Sequence, residues 1–90
     1  MGKVDSIYFE GYDLWFHSSD HEPPHFHCAK TSEWEIKVFF LDCNQSNGLA
    51  YEIKWGRDPK GKVKRILNEL VVKNRVGLLK EWEEKVIADE

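Results

Sequence analysis

The sequence predicts an α+β fold: a small antiparallel sheet of four or five strands, with two C-terminal helices packed on one face. Two observations support this prediction. Short runs of β-branched and aromatic residues, separated by turn residues, occupy roughly the first 56 positions, and the hydrophobic period then changes from two to 3.6. Strands followed by helices favour a layered α+β arrangement, and 90 residues is the length of a single domain.

Five strands are expected, at residues 7–10, 13–17, 25–30, 34–40 and 51–55. The fourth has the clearest pattern, because apolar residues alternate with Glu35 and Lys37 as in a half-buried strand: Trp34, Ile36, Val38 and Phe40. The turn chemistry between residues 42 and 48 joins it to the fifth strand as a hairpin. Residues 1–6 are expected to form a frayed leader.

Two helices are expected, at residues 59–72 and 75–87, with Asp58-Pro59 as the first start signal and Asn74 between them. Apolar residues of the first helix recur at helical spacing: Val63, Ile66, Leu67, Leu70 and Val71. A shorter stripe marks the second helix: Val76, Leu79, Trp82 and Val86. Three tryptophans are assigned to the core on their periodicity: Trp34, Trp55 and Trp82.

Composition excludes several classes of protein. No apolar run approaches the roughly 18 residues that span a bilayer, and the charged N-terminus does not resemble a signal peptide. Cys28 and Cys43 are too few to staple a fold, so two reduced thiols in a cytoplasmic protein are expected. The net charge of −3 argues against a dedicated nucleic-acid binder, although residues 57–75 hold seven Lys or Arg and two acidic residues.

All four histidines fall within one short stretch, at positions 17, 21, 25 and 27, and Pro23-Pro24 stand directly before the last pair. The prolines stiffen the loop and deliver His25 at a fixed place. If the strands ending at His17 and beginning at His25 pair, alternation places Trp15, His17, His25 and His27 on one outward face. His21 would lie in the loop above them, and Cys28 would point away from His27.

Three functional hypotheses compete with a purely structural role in which the histidines only pack and hydrogen-bond around the hairpin. In the first, His25 and His27 bind a divalent transition metal (Zn, Ni, Cu or Fe) with His17 or His21, and Asp20 or Glu22 adds a carboxylate. In the second, two of His21, His25 and His27 act as general acid and base of a metal-independent ribonuclease. Four basic residues would then hold phosphate, or else face an acidic partner: Lys60, Lys62, Lys64 and Arg65. In the third, exposed Trp15 and the histidine face bind another protein.

Several segments together resemble one family. Phe9-Glu-Gly11, Leu14-Trp-Phe16 and His21-Glu-Pro-Pro-His-Phe-His27 are similar to the signature of the domain of unknown function 4160 family, small bacterial proteins with an H-x-P-P-H-F-H stretch. The helical segments Ile66–Val72 and Asn74–Trp82 resemble that family's helices, so the likeness covers most of residues 7–86. The chain departs from the family pattern in a longer turn between Phe40 and Tyr51 and in Gly61-Lys62, where Leu-Pro is usual.

The resemblance implies a small stand-alone protein of a toxin–antitoxin-like type, working through the histidine site and a cognate protein partner. The resemblance carries over only the positions of the motif: His21, Pro23, Pro24, His25, Phe26 and His27. It assigns no catalytic or ligand role to them. The leading expectation is therefore a partner-binding protein with a histidine site. Metal binding and ribonuclease activity are the alternatives, and nucleic-acid binding has weak support.

Overall fold

A five-stranded antiparallel sheet is followed by two helices in the computed structural model, which describes residues 2–86. The strands are β1 (Gly2–Lys3), β2 (Asp13–Phe16), β3 (Phe26–Lys30), β4 (Trp34–Val38) and β5 (Tyr51–Gly56), and the helices are α1 (Gly61–Lys73) and α2 (Arg75–Lys85). The predicted α+β class is confirmed. Residue 87, the expected end of the second helix, lies outside the described residues, as does Met1 of the expected leader.

The strands lie in the sheet in sequence order, so every neighbouring pair is joined by a local connection. Side chains alternate between the two faces of each strand, and one face carries the buried apolar residues of β2, β3 and β4. They are Leu14, Phe16, Phe26, Cys28, Trp34, Ile36 and Val38. This inner face packs against Leu67 and Val71 of α1 and Leu78 and Trp82 of α2, which belong to the same core.

The helices differ from expectation at two points. First, α1 begins at Gly61, because Asp58 accepts hydrogen bonds from Tyr51 and Lys64 and does not cap the helix. Second, the expected stripe through Val76 is wrong, since Val76 is 85% exposed and Leu78 is buried instead. The N-terminal segment packs against α2, with Ser6 beside Gly77 and Asp5 bonded to Glu81. The buried side of α2 is therefore turned toward this segment and away from Val76.

At the N-terminus, the structure differs from two expectations: the frayed leader at residues 1–6 and the strand at residues 7–10. Gly2 and Lys3 pair with Phe16 and Trp15, and residues 7–9 form no regular structure. Glu81 fixes this segment, because its carboxylate accepts the backbone N–H groups of Asp5 at 2.8 Å and Ser6 at 2.6 Å. Such contacts join residues some 75 positions apart, so the local pattern does not contain them.

Trp55 is a further correction, since it is 46% exposed and not part of the core, whereas Trp34 and Trp82 are each 1% exposed. Glu35 pairs with Trp55, but Ile36 pairs with Ile53, so Lys54 is the extra residue of a β-bulge. One extra residue reverses the alternation of β5 at this point. Trp55 therefore lies on the outer face, where its indole N–H donates to Glu35.

No helix among residues 2–86 is long and apolar enough to cross a membrane.

Candidate metal centre

The site lies on the outer face of the hairpin formed by β2 and β3. Trp15 pairs with His27, and Leu14 pairs with Cys28, so the imidazole of His27 and the thiol of Cys28 lie on opposite faces, as predicted. The expectation that the histidine face is exposed is wrong for two histidines, because His25 is 5% and His27 1% exposed. The outer face is thus covered locally at the histidines.

Neighbouring rings cover His27. The indole of Trp15 stacks on it with ring centroids 5.4 Å apart and an interplanar angle of 14°. His17 and His25 each approach it edge-on with centroids 5.3 Å apart. Trp15 is therefore half-buried, and not the exposed surface residue expected from the sequence. The side chain of His17 packs edge-on against His27 and is itself half-buried.

The carboxylate of Asp20 completes the cover, because the loop after β2 folds back over the strands. Its Oδ2 lies 3.0 Å from Nε2 of His27 and 3.4 Å from Nε2 of His25. The turn is closed by two further bonds, from Asp20 N–H to the carbonyl of His17 at 3.1 Å and from His17 N–H to Oδ2 at 3.2 Å. The sequence named Asp20 only as an additional ligand, and the structure places it at the centre.

The tautomer of His25 follows from its partner on the other side of the ring. Nδ1 lies 2.9 Å from the carbonyl oxygen of Pro23, and a carbonyl can only accept a hydrogen bond, so Nδ1 carries the hydrogen. In the neutral ring Nε2 then has a free lone pair. This nitrogen is buried, receives no hydrogen bond from any described residue and faces the Asp20 carboxylate.

His27 lies between two carboxylates. On the side opposite Asp20, its Nδ1 is 3.5 Å from Oε2 of Glu35 and makes no hydrogen bond with it. Burial lowers the pKa of His27 below its usual 6.5, although the Asp20 carboxylate acts to raise it. A neutral His27 has one N–H group, so it can donate to Asp20 or to Glu35 but not to both.

Glu35 is itself held in place by β5. Lys54 Nζ lies 3.3 Å from its Oε2, and Trp55 Nε1 donates to its Oε1 at 3.2 Å. Both partners reach Glu35 because of the bulge at this point of the β4–β5 ladder.

Asp20, His25 and His27 form a cluster of metal-ligand type. Each offers one ligand atom, and the three atoms lie within 4.8 Å of one another. Two imidazoles and a carboxylate suit divalent first-row metals, and three protein ligands leave positions for water or another ligand. Neither His17 nor His21, the two histidines expected as third ligand, belongs to this cluster.

A cleft of about 310 Å³ opens beside the cluster. Asp20 and His25 line it, whereas His27 lies behind them. The other lining residues are Ser19, His21, Glu22, Pro23, Lys37, Phe39 and Glu52. The exposed His21 therefore lines the same cleft as Asp20 and His25.

The basic residues at the start of α1 are not part of this cleft. The Nζ of Lys64 lies 3.2 Å from the Asp58 carboxylate and donates a hydrogen bond to the Tyr51 hydroxyl at 3.1 Å. Lys60, Lys62 and Arg65 are exposed. Lys37 is the lysine that lines the cleft. Cys28 is fully buried in the core, where burial raises the pKa of its thiol to about 12, so it is no ligand here.

Comparison with known proteins gives one match. The family described as Domain of unknown function (DUF4160) matches residues 11–83, which include the whole β2–β3 hairpin, all of α1 and most of α2. No curated protein and no solved structure matches the chain.

Proposed function

The chain belongs to the DUF4160 family, and from that premise we propose that it binds a divalent transition metal through Asp20, His25 and His27. The observation that carries the proposal is the convergence of two imidazole Nε2 atoms and a carboxylate oxygen at one buried point. The other ring nitrogen, Nδ1, faces an oxygen acceptor in both histidines. Nδ1 of His25 faces the Pro23 carbonyl, and Nδ1 of His27 faces the Glu35 carboxylate. Metal-ligating histidines almost always have such partners, which fix the tautomer and orient the ring.

A cation at this point would remove the repulsion between the His25 lone pair and the Asp20 carboxylate. Without one, the buried lone pair of a neutral His25 faces the negative oxygen of Asp20 at 3.4 Å. A metal ion accepts the lone pairs of both Nε2 atoms and the charge of the carboxylate together. His27 is then free to direct its Nδ1–H to Glu35, so both groups gain a partner.

The donor set narrows the choice of metal. Imidazole suits Zn, Ni, Cu and Fe, and the buried thiol of Cys28 on the opposite face gives no soft ligand. Three protein ligands with further positions open toward the cleft resemble a catalytic rather than a closed structural zinc site. Water bound there would have a lowered pKa, which is the chemistry by which such a site would act on a substrate.

The experiment is metal analysis of untagged protein purified without a nickel column, followed by calorimetric titration with Zn, Ni, Cu and Fe(II). We expect about one ion per chain. Asp20→Asn, His25→Ala and His27→Ala should each remove that binding, while His21→Ala, in the same loop region, serves as the control and keeps it. Equal affinity in the wild type and the three ligand variants, or no binding at all, would refute the proposal.

Burial distinguishes this proposal from the ribonuclease hypothesis. A general acid and base must reach the proton that they transfer, and His27 is 1% exposed behind Asp20 and Trp15. The ribonuclease alternative would instead be supported by metal-independent RNA cleavage with a bell-shaped pH profile.

The toxin–antitoxin-like role and the cognate partner stay predictions that the resemblance implies. Co-expression with the product of the neighbouring gene, followed by gel filtration of the mixture, tests for a stable complex. A complex that forms equally well with Asp20→Asn would separate partner binding from the metal site.

A further inference from the structure

The outer edge of the sheet at β5 is open. β5 pairs with β4 on one side, and no described strand lies on its other side. Five of its six residues are exposed, including Ile53 at 42% and Trp55 at 46%. Among residues 2–86, five large hydrophobic side chains are exposed, and two of them are therefore on this edge strand. An uncovered edge with apolar side chains is a template for pairing with another chain.

The backbone of β5 is suited to such pairing at its centre. Phe39 N–H donates to the carbonyl of Ala50, so at Ala50 the strand directs its polar groups toward β4. Hydrogen-bonded positions alternate along an antiparallel strand, so Ile53 directs its own N–H and C=O toward the open edge. Its side chain shares the inner face with its partner Ile36 but extends beyond the cover of the helices.

The order of charges in β5 is self-complementary. Ile53 is flanked by Glu52 and Lys54, and both of these side chains lie on the outer face, since Glu52 pairs with Lys37 and Lys54 reaches Glu35. When a second copy pairs antiparallel about Ile53, each Glu52 comes to lie across from the other copy's Lys54. The two Ile53 side chains then lie directly opposite each other on the inner face. A random edge would bring like charges together as often as opposite ones.

From these observations we infer that β5 is a homodimer interface, in which two copies pair edge to edge about a twofold axis at Ile53. Such an interface is isologous, because the same strand serves on both sides, and it joins two sheets into one of ten strands. Two Glu52–Lys54 pairs and the contact between the two Ile53 side chains determine which residues of the two strands lie opposite each other. The bulge at Lys54 lies one residue from the axis and ends regular pairing there, so only the few positions around Ile53 pair and the dimer is weak and concentration-dependent.

The test is sedimentation of the full chain across micromolar to millimolar concentrations. The wild type should dimerise, and Glu52→Lys or Lys54→Glu should each weaken dimerisation on the order of tenfold, because two attractive cross-strand pairs become repulsive. The double exchange Glu52→Lys/Lys54→Glu should restore it. An equimolar mixture of the two single variants should form a heterodimer, since all charges across the axis are then complementary.

Two controls keep the experiment interpretable. Lys62→Glu makes the same change of charge at an exposed site on α1 and should leave dimerisation unaffected. Lys54→Glu also removes a partner of Glu35, so its melting temperature is measured, and Glu52→Lys tests the interface without that change. A wild type that stays monomeric at all concentrations overturns the inference, as does a dimer that is insensitive to both exchanges.

Discussion

At the scale of single residues, the proposed metal site depends on groups that do not touch the metal. Glu35 lies across the β3–β4 ladder from the hairpin that supplies all three ligands, and its carboxylate approaches Nδ1 of His27 at 3.5 Å. In this structure the hydrogen of a neutral His27 lies on Nε2, which donates to Asp20. Once an ion takes the Nε2 lone pair, that hydrogen moves to Nδ1, and the Glu35 carboxylate would stabilise the resulting tautomer. The Glu35 carboxylate would also increase the basicity of the ring and so make Nε2 a stronger ligand for the metal.

Glu35→Ala should therefore weaken metal binding about 10- to 100-fold without removing any ligand. Glu35→Gln should restore part of the affinity, because its amide oxygen can still accept from Nδ1. The measurement is calorimetric titration with Zn. Glu33→Ala is a matched control. Glu33 is an acidic residue directly before β4, and it pairs with Lys30 and Arg57 and not with a histidine. Affinity that is unchanged in Glu35→Ala would mean that His27 is oriented by Trp15 and Asp20 alone.

The site also shows what residue patterns predict and what they miss. Alternation correctly placed Trp15 and His27 on one face and Cys28 on the other, and the ring of His17 contacts His27 as expected for that face. Asp20 took the central position expected for a third histidine, because a turn of the loop, closed by its bonds to His17, decides which side chain folds back. Both acids of the loop, Asp20 and Glu22, were candidates in the sequence, and only the turn geometry selects between them.

At the scale of elements, Glu81 of α2 ties the N-terminal segment to the fold. Burial raises the pKa of Glu81, but hydrogen bonds from Lys85 and from the backbone N–H groups of Ser6 and Asp5 outweigh it, so the pKa is lowered below its usual 4.5. A carboxyl with a lowered folded-state pKa gives stability that is present above the unfolded value and is lost as pH falls through the folded value.

Glu81→Gln should accordingly lower the free energy of unfolding by about 1.5–3 kcal/mol at neutral pH, the usual range for hydrogen bonds to a charged group. It should also reduce the decline of stability between about pH 5 and 3, because the variant has no proton to take up there. Urea unfolding at a series of pH values measures both effects. Glu84→Gln, at an exposed position of the same helix, should change neither. An unchanged acid dependence in Glu81→Gln would contradict this role.

Elements with a strong local period were predictable, and elements fixed by distant partners were not. The alternation of Trp34, Ile36 and Val38 identified β4, because these three side chains are buried in the core while Glu35 and Lys37 between them are only partly buried. β1 has two residues and exists through pairing with β2 and through Glu81, neither of which leaves a local signal. Trp55 follows the alternation of β5 in the sequence, but the bulge at Lys54 reverses it.

At the scale of the whole molecule, a metal would act on a fold with a small core. Ninety residues bury a smaller fraction of their surface than a larger domain does, so each added interaction counts. The three proposed ligands lie within eight positions of the sequence, and binding them together fixes the loop between β2 and β3. The unfolded chain holds these groups in no such arrangement, so binding free energy becomes folding free energy.

Zinc should therefore raise the melting temperature in a way that depends on its free concentration. At 100 times the dissociation constant the gain is about 2.7 kcal/mol, and for a domain of this size that corresponds to a rise of about 10–20 °C. Circular dichroism melts of the chelator-treated protein, with and without added zinc, measure the shift. Asp20→Asn should melt at the same temperature in both conditions, and His21→Ala should respond as the wild type does. A rise of the same size in Asp20→Asn would place the stabilising ion elsewhere on the chain, whereas no rise in the wild type despite stoichiometric binding would mean that zinc binds the unfolded chain equally well.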